Sequence, residues 1–88
     1  MSFRRIEYFL SVAKHLNFTK AARECYVAQA AISQQIKQFE EELGFKLFDR
    51  GGTAVALTPA GEYFARQCQS VLSQYHGAVK QARSIADG

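Results

Sequence analysis

Apolar residues in the first part of the chain recur three and four positions apart. Ile6, Phe9, Leu10, Ala13 and Leu16 fall on one face of a helix that runs from Phe3 and ends near Asn17. Thr19 then stands ahead of Lys20, Ala21 and Ala22, where its hydroxyl can accept a hydrogen bond from an orphaned backbone N–H. The pattern predicts a second helix of about two turns, capped by Thr19 and stapled at its entry by Phe18. Ala21 and Ala22 are small enough to let another helix approach closely, and Cys25 and Val27 continue the buried row. At Val27 and Ala28 the register changes. A new series at Ile32, Ile36, Phe39 and Leu43 predicts a longer third helix over about 28–42, stopped by Gly44.

The opposite face of this third helix is polar. At about 100° per residue it carries Ala30, Ser33, Gln34, Lys37, Gln38 and Glu41, with Gln29 near the N-terminal edge. Nothing acidic occurs from Ala28 to Gln38. Glu40, Glu41 and Glu42 gather at the other end, where they oppose the helix dipole and repel phosphate; the run reads as solvated and turned away from any nucleic acid. A short scaffold helix, a tight break and a helix presenting amides and hydroxyls match what reading base edges in a DNA major groove requires.

Past Gly44 the period shortens towards two. Leu47 can share a face with Val55 or Leu57, and Gly51 with Gly52 supplies a flexible turn, so this segment predicts a two-stranded wing. Thr58 and Pro59 are a compatible cap and first position for another helix. From there Phe64, Cys68, Val71, Tyr75, Ala78, Ala82 and Ile85 alternate four and three apart, with Leu72, Val79 and Ala86 beside them, which is a heptad seam. A helix from Pro59 to Ala86 is roughly 40 Å long, more than the preceding body can cover, so part of the seam predicts a partner. The chain stops at Gly88, close to the end of this helix, which raises the expectation of a domain from a longer polypeptide with the helix as connector.

Composition narrows the function classes. With 88 residues, 48% hydrophobic and 22% charged, the chain fits one soluble globular domain whose core is small enough for association to matter. Eleven Lys and Arg against eight Asp and Glu give a net charge of +3, an excess that suits a nucleic-acid partner without requiring one. No run of about 18 apolar residues occurs and the N-terminus lacks signal-peptide features, so a cytoplasmic location and no membrane partner are expected. Cys25 and Cys68 lack CxxC spacing and read as buried thiols, and His15 and His76 have no carboxylate or thiolate at metal-ligand spacing. Without a Gly-rich phosphate loop, a nucleophile elbow or paired carboxylates in an apolar setting, neither an enzyme nor a cofactor is expected. Arg4, Arg5 and Arg23 read as solvated charges.

The stretch FxxVAxxxNFTKAARECYVAQAAISQQIKQFEEELGFKLFDR, with ALTPAGE after it, resembles the N-terminal DNA-binding domain of LysR-type transcriptional regulators over nearly the whole chain. The features that carry the resemblance are Phe18-Thr19-x-Ala21-Ala22, Ser33-x-x-Ile36, the Glu41 to Gly44 end, Leu47-Phe48-x-Arg50 and Leu57-Thr58-x-x-Gly61. It implies a mainly α fold: a winged helix-turn-helix over 1–58, with a three-helix core and a two-stranded β wing, then a long linker and dimerisation helix over 59–88. It also implies a ligand-sensing domain outside this chain, and a small-molecule effector is expected only there. The positions that commonly contact DNA in such regulators are occupied by Gln29, Ala30, Ser33 and Gln34. Ala30 stands where Pro is frequent and leaves a methyl for a thymine. Thr53 stands where an Arg is common, and Gly51-Gly52-Thr53-Ala54 makes a neutral wing. Arg50 is retained, for a phosphate contact or a structural role.

Side-chain chemistry divides the labour. Gln29 and Gln34 can each pair bidentately with adenine, and Ser33 tolerates several bases. Lys37 and Gln38, one turn on, suit phosphates, with an ion pair to Glu41 as the alternative for Lys37. The N-terminus of the Thr19 helix can also meet a phosphate. Phe64, Cys68, Val71, Leu72, Tyr75, Ala78, Val79 and Ala82 are assigned to a homodimer interface. The favoured function is sequence-specific binding of double-stranded DNA by a regulator whose dimer reads an inverted repeat, with a tetramer open to the full-length protein. The alternative is a protein-interaction module in which the seam works and the helix-turn-helix is scaffold; the modest charge and neutral wing are its best arguments.

Overall fold

The computed structural model describes residues 3–52 and 54–88. Among these, α1 (Phe3–His15), α2 (Phe18–Glu24) and α3 (Gln29–Leu43) are followed by β1 (Phe48–Asp49), β2 (Ala56–Leu57) and α4 (Pro59–Asp87). This is the predicted sequence of three helices, a wing and a long terminal helix. Phe9, Val12, Ile32, Ile36 and Phe39 have no solvent exposure, so the stripes picked out by periodicity do face one core. Phe9 is its hub: its ring centroid lies 6.4 Å from Phe39, 5.6 Å from Phe48 and 5.6 Å from Phe64. One side chain of α1 thereby ties together α3, the wing and α4. Each tilted or edge-on ring contact contributes about 0.5–1.5 kcal/mol beyond area burial.

The break between α2 and α3 is built by the backbone. Val27 N–H donates to the Ala22 carbonyl at 3.0 Å and Tyr26 N–H to the Arg23 carbonyl at 3.2 Å, which satisfies the last carbonyls of α2 and reverses the chain. Tyr26 adopts the left-handed conformation this requires, with φ 58°. A non-glycine residue there costs about 1–2 kcal/mol, and the packing of Val27 against the core offsets it.

At the start of α2, the cap is Asn17 and not Thr19. Asn17 Oδ1 accepts from Lys20 N–H at 2.8 Å. The helix begins earlier because Phe18 is a core residue, 8% exposed, at the first helical position. Thr19 therefore sits within the first turn, and its hydroxyl donates to Gln29 Oε1 at 3.1 Å.

Gly44 ends α3 as predicted, with φ 85° and its N–H on the Glu40 carbonyl at 2.9 Å. Glu40 itself departs from its reading as a solvated acid. It is buried, and its Oε2 accepts from Leu47 N–H at 2.7 Å and Phe48 N–H at 3.2 Å. Standing four residues after Ile36, it lies on the core side of α3 and fastens β1 to that helix. The two strands are antiparallel, Phe48 opposite Leu57 and Asp49 opposite Ala56. Asp49 Oδ1 accepts Gly51 N–H at 3.0 Å and closes the near side of the turn. Thr53 lies outside the described residues.

Thr58 caps α4 and welds it to the wing. Its Oγ1 accepts Gly61 N–H at 2.9 Å and donates to the Lys46 carbonyl at 2.7 Å, while its own N–H donates to the Leu47 carbonyl at 3.0 Å. Further along, the seam divides. Cys68 and Leu72 are 3% and 7% exposed, and Phe64 packs its ring on Phe9, Phe39 and Phe45. The heptad pattern predicts these three residues for a partner surface, but the chain's own core covers them, because the first turns of α4 lie against α1. Val71, Tyr75, Ala78, Val79, Ala82 and Ile85 remain exposed.

Candidate nucleic-acid interface

The outer face of α3 is uncovered where the pattern places it. Gln29, Ala30, Gln34, Lys37, Gln38 and Glu41 are exposed, and Ser33 is half-buried. Ser33, Gln34, Lys37, Gln38 and Glu41 form one wall of an open groove of about 800 Å³. The other wall is the base of the wing, with Lys46, Phe48, Asp49, Arg50 and Gly51. The fold thus brings the α3 residues and Arg50 to one concavity. Gln29, Ala30 and Thr19 sit at the N-terminal end of α3, apart from its lining. Ala28, which precedes α3, offers no side-chain cap, so the Gln29 and Ala30 N–H groups keep their donor capacity, while the Ala31 N–H donates to the Ala28 carbonyl at 3.0 Å.

Charge in the groove is mixed, three cationic side chains against three carboxylates. Lys37, Lys46 and Arg50 face Glu41 and Asp49, while the Glu40 carboxylate is engaged with backbone N–H groups. Among the described residues Lys37 makes no ion pair with Glu41. Arg50 places its guanidinium carbon 4.1 Å from the centroid of the Phe18 ring, a cation–π contact that ties the wing to α2. The residue stays exposed, so this packing leaves donors for an anion.

Arg5 is not a solvated charge. It donates through Nε to Gln35 Oε1 at 3.1 Å, through Nη1 to Glu42 Oε2 at 3.0 Å and through Nη2 to Gln38 Oε1 at 3.2 Å. No local pattern announces this, since the partners lie about thirty residues away in sequence. A second long-range cluster joins α1 to α2. Glu24 accepts from the Ser11 hydroxyl at 2.6 Å and from Lys14 Nζ at 2.9 Å, and these contacts, Ser11 first, lower its pKa from 4.5 to about 2. His15 Nε2 lies 3.4 Å from Glu24 Oε2 without the alignment of a hydrogen bond, so His15 does have a carboxylate neighbour that its sequence surroundings did not show. Among the described residues no three His, Cys, Asp or Glu converge as a metal site would need. Cys25 and Cys68 are free thiols; burial pushes the Cys68 pKa up, and Cys25 is half-buried. Among the described residues no helix is long and apolar enough to cross a membrane.

Residues 3–62 match the sequence model of the family described as bacterial regulatory helix-turn-helix protein, lysR family. The chain belongs to the LysR family. It is 43% identical over its full length to the HTH-type transcriptional regulator AlsR of Bacillus subtilis (strain 168), of which it spans 29%. Over 98% of its length it is 38% identical to the HTH-type transcriptional regulator BenM of Acinetobacter baylyi (strain ATCC 33305 / BD413 / ADP1), spanning 28% of that protein. In three dimensions this LysR-family chain resembles the BenM DNA-binding domain in complex with benA site 1 DNA. The TM-score is 0.96 at 39% identity, covering all of this chain and 99% of that one. The CbnR DNA-binding domain in complex with DNA gives a TM-score of 0.91 at 31% identity, covering 98% and 99% of the two chains.

Proposed function

We propose that this LysR-family domain binds double-stranded DNA sequence-specifically, with α3 in the major groove, as the DNA-reading part of a transcriptional regulator. The observation that carries the reading is the outer face of α3, where Gln29, Ser33 and Gln34 point away from the core with no acidic side chain before Glu40. Likeness to the DNA-bound BenM and CbnR domains supports it. In this reading Gln29, Ser33 and Gln34 meet base edges and the Ala30 methyl meets a thymine. Lys37, Gln38, Arg50 and the N-terminal turn holding Thr19 meet phosphates. Thr53 keeps the neutral wing contact that its sequence position implies.

Two copies joined through the exposed stripe of α4 would read two half-sites of an inverted repeat. The domain works without catalysis or a cofactor of its own, in the cytoplasm, and any small-molecule effector belongs to a sensing domain beyond this chain. Selection of bound duplexes from a random pool tests the proposal. An enriched inverted repeat is the expected outcome. Absence of enrichment overturns the reading in favour of a protein-interaction module.

A further inference from the structure

Arg5 lies on α1, outside the groove, yet its guanidinium holds three side chains of α3. A guanidinium carries hydrogen-bond donors only and keeps its charge across the range in which proteins fold. An amide that faces it must therefore present its oxygen. For Gln38 this settles a choice that a glutamine ordinarily leaves open: Oε1 is turned to Arg5 Nη2 at 3.2 Å, and the Nε2 hydrogens are left over. Among the described residues Nε2 has no acceptor. Gln38 is at the same time part of the groove wall, beside Gln34 and Lys37. It is thus held from behind by α1 and open in front.

Gln29 supplies the contrast. Its amide oxygen is met by the Thr19 hydroxyl, which both donates and accepts, so that contact survives if the amide turns over. Arg5 permits no such turn at Gln38. The ion pair within the clamp is partly solvated, with Arg5 and Glu42 side chains 24% and 59% exposed, so its value lies more in orientation than in stability.

We propose that Arg5 is a positioning residue for DNA recognition, fixing the Gln38 amide so that this side chain meets DNA as a hydrogen-bond donor; the inference rests on the DNA-binding reading above. A donor at this position suits a phosphate oxygen, guanine O6 or N7, or thymine O4, and disfavours the amino groups of adenine and cytosine. Holding the amide in advance also removes part of the cost of ordering it on binding.

The test is a double-mutant cycle on a duplex enriched from a random pool, with affinity measured for the wild type, Arg5→Lys, Gln38→Ala and the double variant. Lysine keeps the charge, and with it the counterion contribution, but one ammonium cannot reproduce a planar fork on three acceptors. Gln38→Ala is expected to weaken wild-type binding about five- to tenfold and to cost no more than about twofold once Arg5 is lysine. Additive losses, or no loss from Gln38→Ala alone, overturn the role of Arg5. Gln38→Glu keeps an oxygen for Arg5 and removes the outward donor, so it should bind at least as weakly as Gln38→Ala; wild-type affinity in this variant also overturns the role. Should Arg5→Lys fail to fold, Arg5→Met takes its place in the cycle, where the loss of charge is common to both backgrounds and cancels. Failure of the wild type to enrich any duplex is a different result and overturns the DNA-binding reading itself.

Discussion

A side chain at position 61 has nowhere to go. The Cβ of any other residue would collide with the Leu47 carbonyl oxygen, the same oxygen that accepts the Thr58 N–H. Gly61→Ala should therefore cost about 1–3 kcal/mol as the wing and α4 are pushed apart, read as a lower midpoint in urea unfolding; an unchanged midpoint would mean the junction yields freely. On the DNA side, Gln34→Ala should weaken binding to a selected duplex by about 1–3 kcal/mol and leave random-duplex binding nearly unchanged. Equal losses on both would remove Gln34 from base reading. Lys37→Ala should weaken both alike and lower the salt slope by about one, and a constant slope would return Lys37 to a solvated position. Single positions were the hardest scale to read from sequence. Thr19 is a capping residue type, but Asn17 takes the role because Phe18 packs into the core from the first turn of α2. Glu40 was legible in principle, since it follows Ile36 by four, yet its acidic neighbours drew it into a solvated run.

Elements were far more legible, because a helical stripe averages over many residues and survives one misplaced cap. Gly44, the Thr58–Pro59 start and the apolar row of α3 all fell within a residue or two of the observed bounds. What periodicity cannot carry is how elements are fastened to one another. Arg5 to α3, Glu24 to α1 and the Glu40 carboxylate to the backbone N–H of Phe48 in β1 are contacts across space with no shared sequence signal. The Glu24 fastening makes a pH prediction at this scale. Its carboxyl titrates near 4.5 when free and near 2 when held by Ser11 and Lys14. The folded value lies below the unfolded one, so the stabilisation is complete above about pH 4.5 and is lost as pH falls towards 2. Wild type should exceed Glu24→Gln in thermal midpoint at neutral pH, by a small and salt-sensitive margin because the cluster is solvent-exposed. That margin should vanish at the acid end, and a margin independent of pH would show that the contact is not electrostatic.

The whole molecule is elongated, 53 × 26 × 20 Å with a radius of gyration of 14.7 Å, against about 12 Å for a compact chain of this length. α4 accounts for the difference. At 1.5 Å per residue its 29 residues extend about 43 Å, and the body covers its apolar side only as far as Leu72 and the contact of Tyr75 with Phe3. The heptad pattern announced a seam but could not say which of its residues the chain itself would consume, since that depends on how high the three-helix body stands against α4. The uncovered part begins with Val71, 47% exposed, and continues through Tyr75, Val79 and Ile85. Val71→Asp separates the two uses of the helix. In a monomer the new carboxylate points to water and stability should hardly change, whereas in a dimer it is an unpaired charge buried at the contact. Sedimentation should then report twice the chain mass for wild type and the single chain mass for Val71→Asp, with similar unfolding midpoints once measured below the dissociation constant. In the proposed reading, a mildly basic body with a neutral wing depends on joining two half-sites, so the same substitution should lower affinity for an inverted repeat far more than for a single half-site. Equal effects on the two duplexes would show that the domain reads DNA one copy at a time.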